Sequence, residues 1–169
     1  MDDLAWQMEQ ALPRLRRYAR ALVGDPTRAD DIVQDCLERA WSRRHLFRPG
    51  SDLRAWLFTI LHNVHANAAR RYTTRPAHVP LTETTPAEPV RPRQADDLEL
   101  GDLHEALGRL SEDQRQVLLL VGMEQLQYRE VADVLGVPIG TVMSRLHRAR
   151  EHLREELARE SETPPRRPK

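Results

Sequence analysis

The side chains with the most legible chemistry lie between Tyr128 and Arg150, in the run YREVADVLGVPIGTVMSRLHRAR. Arg145 to Arg150 holds three arginines and a histidine with no acid among them, a set suited to phosphate oxygens and base edges. Upstream, Val131, Ala132 and Leu135 form a short amphipathic segment, and Val142 and Leu146 repeat four apart in the next. Gly136 stands where a helix must turn away with positive φ. Pro138 suits the first turn of the following helix, where its missing N–H is harmless. Two helices crossing over the small Ala132 make a helix-turn-helix, whose second member lies in a major groove. An αα-hairpin in a helical bundle has the same periodicity, but the acid-free basic run favours DNA.

Three further constellations carry polar chemistry. Asp31, Gln34, Asp35 and Glu38 fall on one side of a helical segment, opposite Ile32, Val33, Cys36, Leu37, Ala40 and Trp41. Such a face is ordinarily a solvated flank, and a docking surface is its competitor. From Leu53 to about Tyr72, the residues Thr59, Asn63 and Arg70 share an edge, with Asn67 between that edge and the core side. Beside the basic loop RRHLFRPGSD, this edge fits nucleic acid as well as it fits an ordinary polar flank. His62 and His65 stand three apart, but with no third ligand in sight a solvated or structural role outweighs a metal. Cys36 sits among apolar positions and reads as a buried thiol.

Helices must position all of these groups. Leu4, Met8, Ala11, Leu12, Leu15, Ala19 and Leu22 recur at three and four over residues 4–23, and Pro13 is expected to kink or divide that helix. Thr27 reads as a capping-box start for the next, and Ser51 as the cap of the segment from Leu53. In that segment Leu53, Trp56, Leu57, Ile60, Leu61, Val64 and Ala68 make the core stripe. Proline-rich residues 74–95 lack periodicity and read as a linker. Beyond it, Leu98, Leu103, Leu107 and Leu110 suggest one helix. Ser111 with Gln114 is a capping box for another, which carries Val117, Leu118, Leu120 and Val121. Leu153 and Leu157 lengthen the last helix, and 161–169 reads as a disordered basic tail. The expected fold is all-α, with two small helical domains, 1–73 and 96–160, joined by the linker.

Composition agrees with that class. Among 169 residues aromatics make up 5%, and Leu, Ala, Arg and Glu abound. The formal charge is zero, but 1–73 carries an excess of arginine over acid and 74–104 the reverse. A neutral total therefore leaves room for a local basic face. The sole Cys36 excludes an intrachain disulfide, and no apolar run or leader-like start points to a membrane, so a cytoplasmic protein is expected.

PTRADDIVQDCLERAW, LRAWLFTILHNVHANAARR, a Pro-rich spacer, LSEDQRQVLLLV and the helix-turn-helix follow one another in an order that resembles the extracytoplasmic-function (ECF) sigma factors of bacterial RNA polymerase. The resemblance spans nearly all of the chain outside linker and tail. It implies a non-catalytic protein, without cofactor or metal, that binds core RNA polymerase and promoter DNA and is restrained by an anti-sigma factor. It also implies a role for each constellation. Asp31, Gln34, Asp35 and Glu38 match the positions that dock on the polymerase clamp. Arg48 in the loop, with Asn63, Asn67, Arg70 and Arg71, would hold the melted −10 strand. Thr141, Met143, Ser144, Arg145 and Arg148 would meet the −35 duplex, with Arg145 first for a base edge.

Two departures qualify the match: Met143 stands where the family often has Lys, and Asn67 where an acid is common. The paired wedge aromatics of housekeeping sigma factors also have no counterpart on a free face, because Trp56 belongs to the core stripe. Competing readings are a dimeric promoter regulator, a helical metal protein and an adaptor. No dimer stripe or metal-ligand triad supports the first two, and Thr141, Arg145 and Arg148 oppose the third.

Overall fold

The computed structural model describes residues 3–74 and 103–162, and every regular element among them is helical. The 74–95 linker, the start of the second domain near Asp96, and the tail beyond Glu162 lie outside the described residues, apart from Thr74 at a helix end.

Helix α1 (Asp3–Val23) is continuous through Pro13. Pro13 lies on the exposed side of the helix, so the expected division does not occur. Gly24, at φ +74°, ends the helix with its N–H on Arg20 O at 2.9 Å. Helix α2 (Pro26–Ser42) starts two residues later. Its cap is Asp25 rather than Thr27: the Asp25 carboxylate accepts from Thr27 N and Arg28 N at 2.8 and 3.1 Å, and Pro26 takes the first helical position. A 3-10 turn (Arg44–Leu46) leads to Gly50, at φ +86°, and then to α3 (Leu53–Thr74). Asp52 caps α3 through Arg54 N and Ala55 N, while the expected cap, Ser51, turns its hydroxyl to Arg48 O. In both places the shorter-reaching hydroxyl loses to a charged acceptor, which gains more from the orphan N–H groups and the helix dipole.

The second half opens with a helical segment, α4 (103–109), followed by α5 (Glu112–Gly122), α6 (Tyr128–Leu135) and α7 (Ile139–Glu162). The Ser111–Gln114 capping box forms as expected. Gly136 turns at φ +65°, and Pro138 lies just before α7, offering its carbonyl to Thr141 N and Val142 N. Arg109 reaches from α4 to Glu156 on α7 at 2.7 Å, and Arg159 adds a second contact at 3.1 Å. Arg115 donates to Leu107 O, Gly108 O and Leu110 O, gathering the end of α4 and its exit.

The two halves share one continuous buried cluster, from Met8 and Leu15 through Leu57 and Leu61 to Leu120 and Val131. Helix α3 packs on α6, and α1 on α5. This contact explains why α3 is buried on more than its foreseen stripe. Phe58 and His65 are also buried, and Phe58 meets Tyr18 of α1 edge-on at 5.0 Å. Trp41, expected on the core side of α2, is instead 43% exposed, with the Arg44 guanidinium 4.7 Å over its ring.

Candidate nucleic-acid interface

Helix α2 buries Ala29, Ile32, Val33, Cys36 and Ala40, so its opposite side must face water. Asp31, Gln34, Asp35 and Glu38 are all exposed there, with Gln34 Nε2 donating to Glu38 at 3.1 Å. Burial raises the Cys36 thiol to about 12, despite the opposing Arg39, and its sulfur lies 3.5 Å from Leu57 O. Cys36 therefore ties α2 to α3 and offers no reactive thiolate.

Between α2 and α3 runs a groove of about 270 Å³, lined by Asp31, Asp35, Arg39, Asn67 and Arg71 over an apolar floor that includes Ile32 and Val64. Two constellations that looked separate in sequence thus meet along one cleft. Asn63, Asn67, Arg70 and Arg71 are exposed along the later part of α3. Arg48 is exposed too, but in the loop before α3 begins. At 1.5 Å per residue, Leu53 and Arg71 are about 27 Å apart along the axis. The five −10 candidates therefore form a track rather than a pocket. Near Arg48, Phe47 packs against Trp56 with ring centres 5.2 Å apart and planes tilted by 49°. An aromatic pair does exist at this loop, and both of its members are partly buried.

Helix α7 buries Val142, Leu146 and Ala149, and its outward side carries Ile139, Gly140, Met143, Ser144, His147 and Arg148, all exposed. Thr141 is half-buried, and its carbonyl accepts the Ser144 hydroxyl at 3.1 Å. Arg145 differs from the other candidates. Its side chain is 26% exposed and its guanidinium lies 3.0 Å from the Asp113 carboxylate on α5. In this conformation it braces α7 against α5, while Arg148 and His147 face out. His147 was not among the candidates, although the 142–146–149 core period places it on the outward side.

His62 and His65 do not converge on a metal position. His65 Nε2 meets Glu112 at 2.8 Å across the contact between halves, and no group of three or more metal-ligating residues occurs among the described residues. Burial lowers the His62 pKa, helped by its neighbour His65.

No helix among the described residues is long and apolar enough to cross a membrane. Two family models match the chain: the sigma2 domain of PhyR over residues 8–62 and sigma-70 region 4 over residues 100–153. An ECF RNA polymerase sigma factor, EcfG of Rhodopseudomonas palustris, is 39% identical over 90% of this chain and 83% of its own length. The RNA polymerase sigma-E factor of Streptomyces coelicolor is 35% identical over 85% of this chain and 79% of its own. Among solved structures, the sigma factor RpoE of Bartonella quintana, in complex with the anti-sigma factor NepR, superposes with a TM-score of 0.77 at 34% identity. That match covers 94% of this chain and 98% of that one. A three-helix unit with an acidic outer face, a helix-turn-helix with a basic one, and relatives of this extent agree: the chain belongs to the ECF sigma factors of bacterial RNA polymerase.

Proposed function

We propose that three exposed surfaces divide the work of this initiation factor. The α2 face of Asp31, Gln34, Asp35 and Glu38 docks on core RNA polymerase. Arg48 and the α3 track of Asn63, Asn67, Arg70 and Arg71 hold the separated −10 strand. The outward side of α7 reads the −35 duplex with Met143, Ser144 and Arg148, joined by His147. Arg145 acts there by fixing the angle of α7 through Asp113, with Thr141 at the helix start. Residues 1–73 and 96–160 are the two gripping units, and 74–95 joins them.

The carrying observation is that the acidic α2 face stays uncovered although the two halves share one buried cluster. Four polar side chains there face solvent beside an apolar-floored groove, a form suited to a charged partner. The chain itself performs no chemistry; bond making belongs to the polymerase. By likeness to the RpoE and CnrH complexes, whose partners are NepR and the cytosolic domain of CnrY, an anti-sigma protein restrains it in the cytoplasm.

Reversing Asp31 and Asp35 to Lys tests the docking face. Co-elution with core enzyme should be lost, while duplex binding by α7 persists. A double variant that still co-elutes with core contradicts the assignment. On α7, Arg148→Ala should relax the preference at a −35 base by about 1–3 kcal/mol. Arg145→Ala should weaken all sequences alike.

A further inference from the structure

Most of the outward side of α7 is polar, as a surface for phosphates and base edges must be. Ile139 and Met143 break that pattern. They are 44% and 48% exposed, although both carry large apolar side chains. Single apolar residues scattered on a surface need no explanation. These two are not scattered: they stand four apart, neighbours on the same side of one helix. Among the described residues, no other two large exposed hydrophobics stand within a turn of each other on one helix.

The spacing sorts the outward side into two adjoining rows. Ile139, Met143 and His147 form one, and Gly140, Ser144 and Arg148 form the other, with every member exposed. The first row opens apolar, while the second is small and polar before it ends in a guanidinium. Gly140 adds no side chain to the opening turn, and open space surrounds the place where a Cβ would stand. That turn can therefore approach a surface closely, apolar edge included. In a helix-turn-helix, the first residues of the second helix are the ones that meet base edges.

The apolar group that a major groove offers is the C5-methyl of thymine. Isoleucine has no hydrogen-bonding side-chain atom and methionine only a weakly accepting sulfur, so neither can satisfy the polar atoms of a base. Four residues of helix rise about 6 Å, close to two base-pair steps of roughly 3.4 Å, so the pair spans neighbouring steps of the duplex.

We propose that Ile139 and Met143 form a methyl-reading edge, which recognises the −35 duplex by apolar contact with the C5-methyl groups of thymines. Ser144 and Arg148, in the adjoining row, meet the hydrogen-bonding atoms. The inference rests on the reading that the outward side of α7 faces the −35 duplex. It adds a base preference: the steps beneath the opening turn of α7 carry thymine, with adenine opposite. Burial of methyl groups selects sequence there, whereas phosphate contacts only hold the helix in place.

The test uses holoenzyme reconstituted from core polymerase and the full chain. A promoter duplex selected on this holoenzyme, from a pool randomised across both elements, supplies the probe. The duplex is then remade with deoxyuridine for each −35 thymine in turn, which deletes one methyl and leaves every base pair intact. A covered methyl is worth about threefold to fivefold in binding, so deoxyuridine should weaken binding by that factor at one or two positions. Met143→Ala and Ile139→Ala, both at exposed positions, should weaken binding to the thymine duplex and each erase the penalty at its own position. A selected −35 region without thymine overturns the inference alone, as does deoxyuridine that costs nothing at any position. Penalties that persist unchanged in both variants overturn it as well. Binding that is indifferent to the whole −35 sequence overturns the underlying reading with it.

Discussion

Two glutamates are nearly sealed from solvent in this molecule, and they are treated differently. Glu156, inside the second half, has Arg109 at 2.7 Å, Arg159 at 3.1 Å and His152 at 3.7 Å. The Arg109 hydrogen bond, above all, holds its carboxyl below the usual range. Glu124, between the halves, has Arg17 alone and an oxygen without a partner. The first arrangement locks α4 to α7 within a unit that must stay folded to read DNA. The second lies at the joint where the two halves meet. The difference locates rigidity within each half and compliance between them.

The largest effect is expected where the joint is apolar. Phe58→Ala removes a buried ring from the floor that Tyr18 shares, and should lower unfolding stability by about 3–5 kcal/mol in denaturant titration. A loss below about 1 kcal/mol would mean the floor carries little of the joint. Next, Arg109→Ala should lower Tm by on the order of 5 °C, and Arg17→Ala by about 2 °C or less, because Arg17 is half exposed and the freed carboxylate can hydrate by opening. The reverse order would remove the contrast between the two glutamates.

Acid should discriminate the same regions. Burial, with His65 one turn along α3, depresses His62, and the opposing carboxylates of Glu112 and Asp113 on α5 only partly offset it. Its ordinary value is 6.5, so at lower pH the unfolded or opened chain takes up a proton that the closed form resists. The stability His62 contributes is thus complete above 6.5 and declines on acidification below it. Glu156 is also depressed, from 4.5, so its contribution is lost only as pH falls below that value. Hydrogen exchange across a pH series should show the α3–α5 contact loosening before the α4–α7 contact. The smallest effect concerns Cys36, whose thiol, raised to about 12, should resist alkylation at pH 8 in the folded chain and react on unfolding.

Much of each half was legible locally. Gly136, the Ser111–Gln114 box and the outward position of Asp31 to Glu38 depend on neighbours within a few turns, and periodicity reports such neighbours. The joint was not legible, because it pairs Arg17 with Glu124 and His65 with Glu112 across long stretches of chain. Phe58 and His65 fall off the single stripe that an amphipathic pattern describes, since α3 has a second partner in α6. The Asp113 contact of Arg145 was hidden for a related reason. An arginine beside a recognition face looks the same in sequence whether or not, in the free chain, it lies against a carboxylate such as Asp113.

The most direct test is the distance between the halves, read by energy transfer from dyes at the exposed positions Gln10→Cys and Arg129→Cys, with Cys36 buried and unreactive. The free chain should give high transfer, and adding core RNA polymerase should lower it sharply. High transfer that persists in the polymerase complex, or low transfer in the free chain, would contradict halves that share a core in the free chain and grip separate promoter elements on the polymerase.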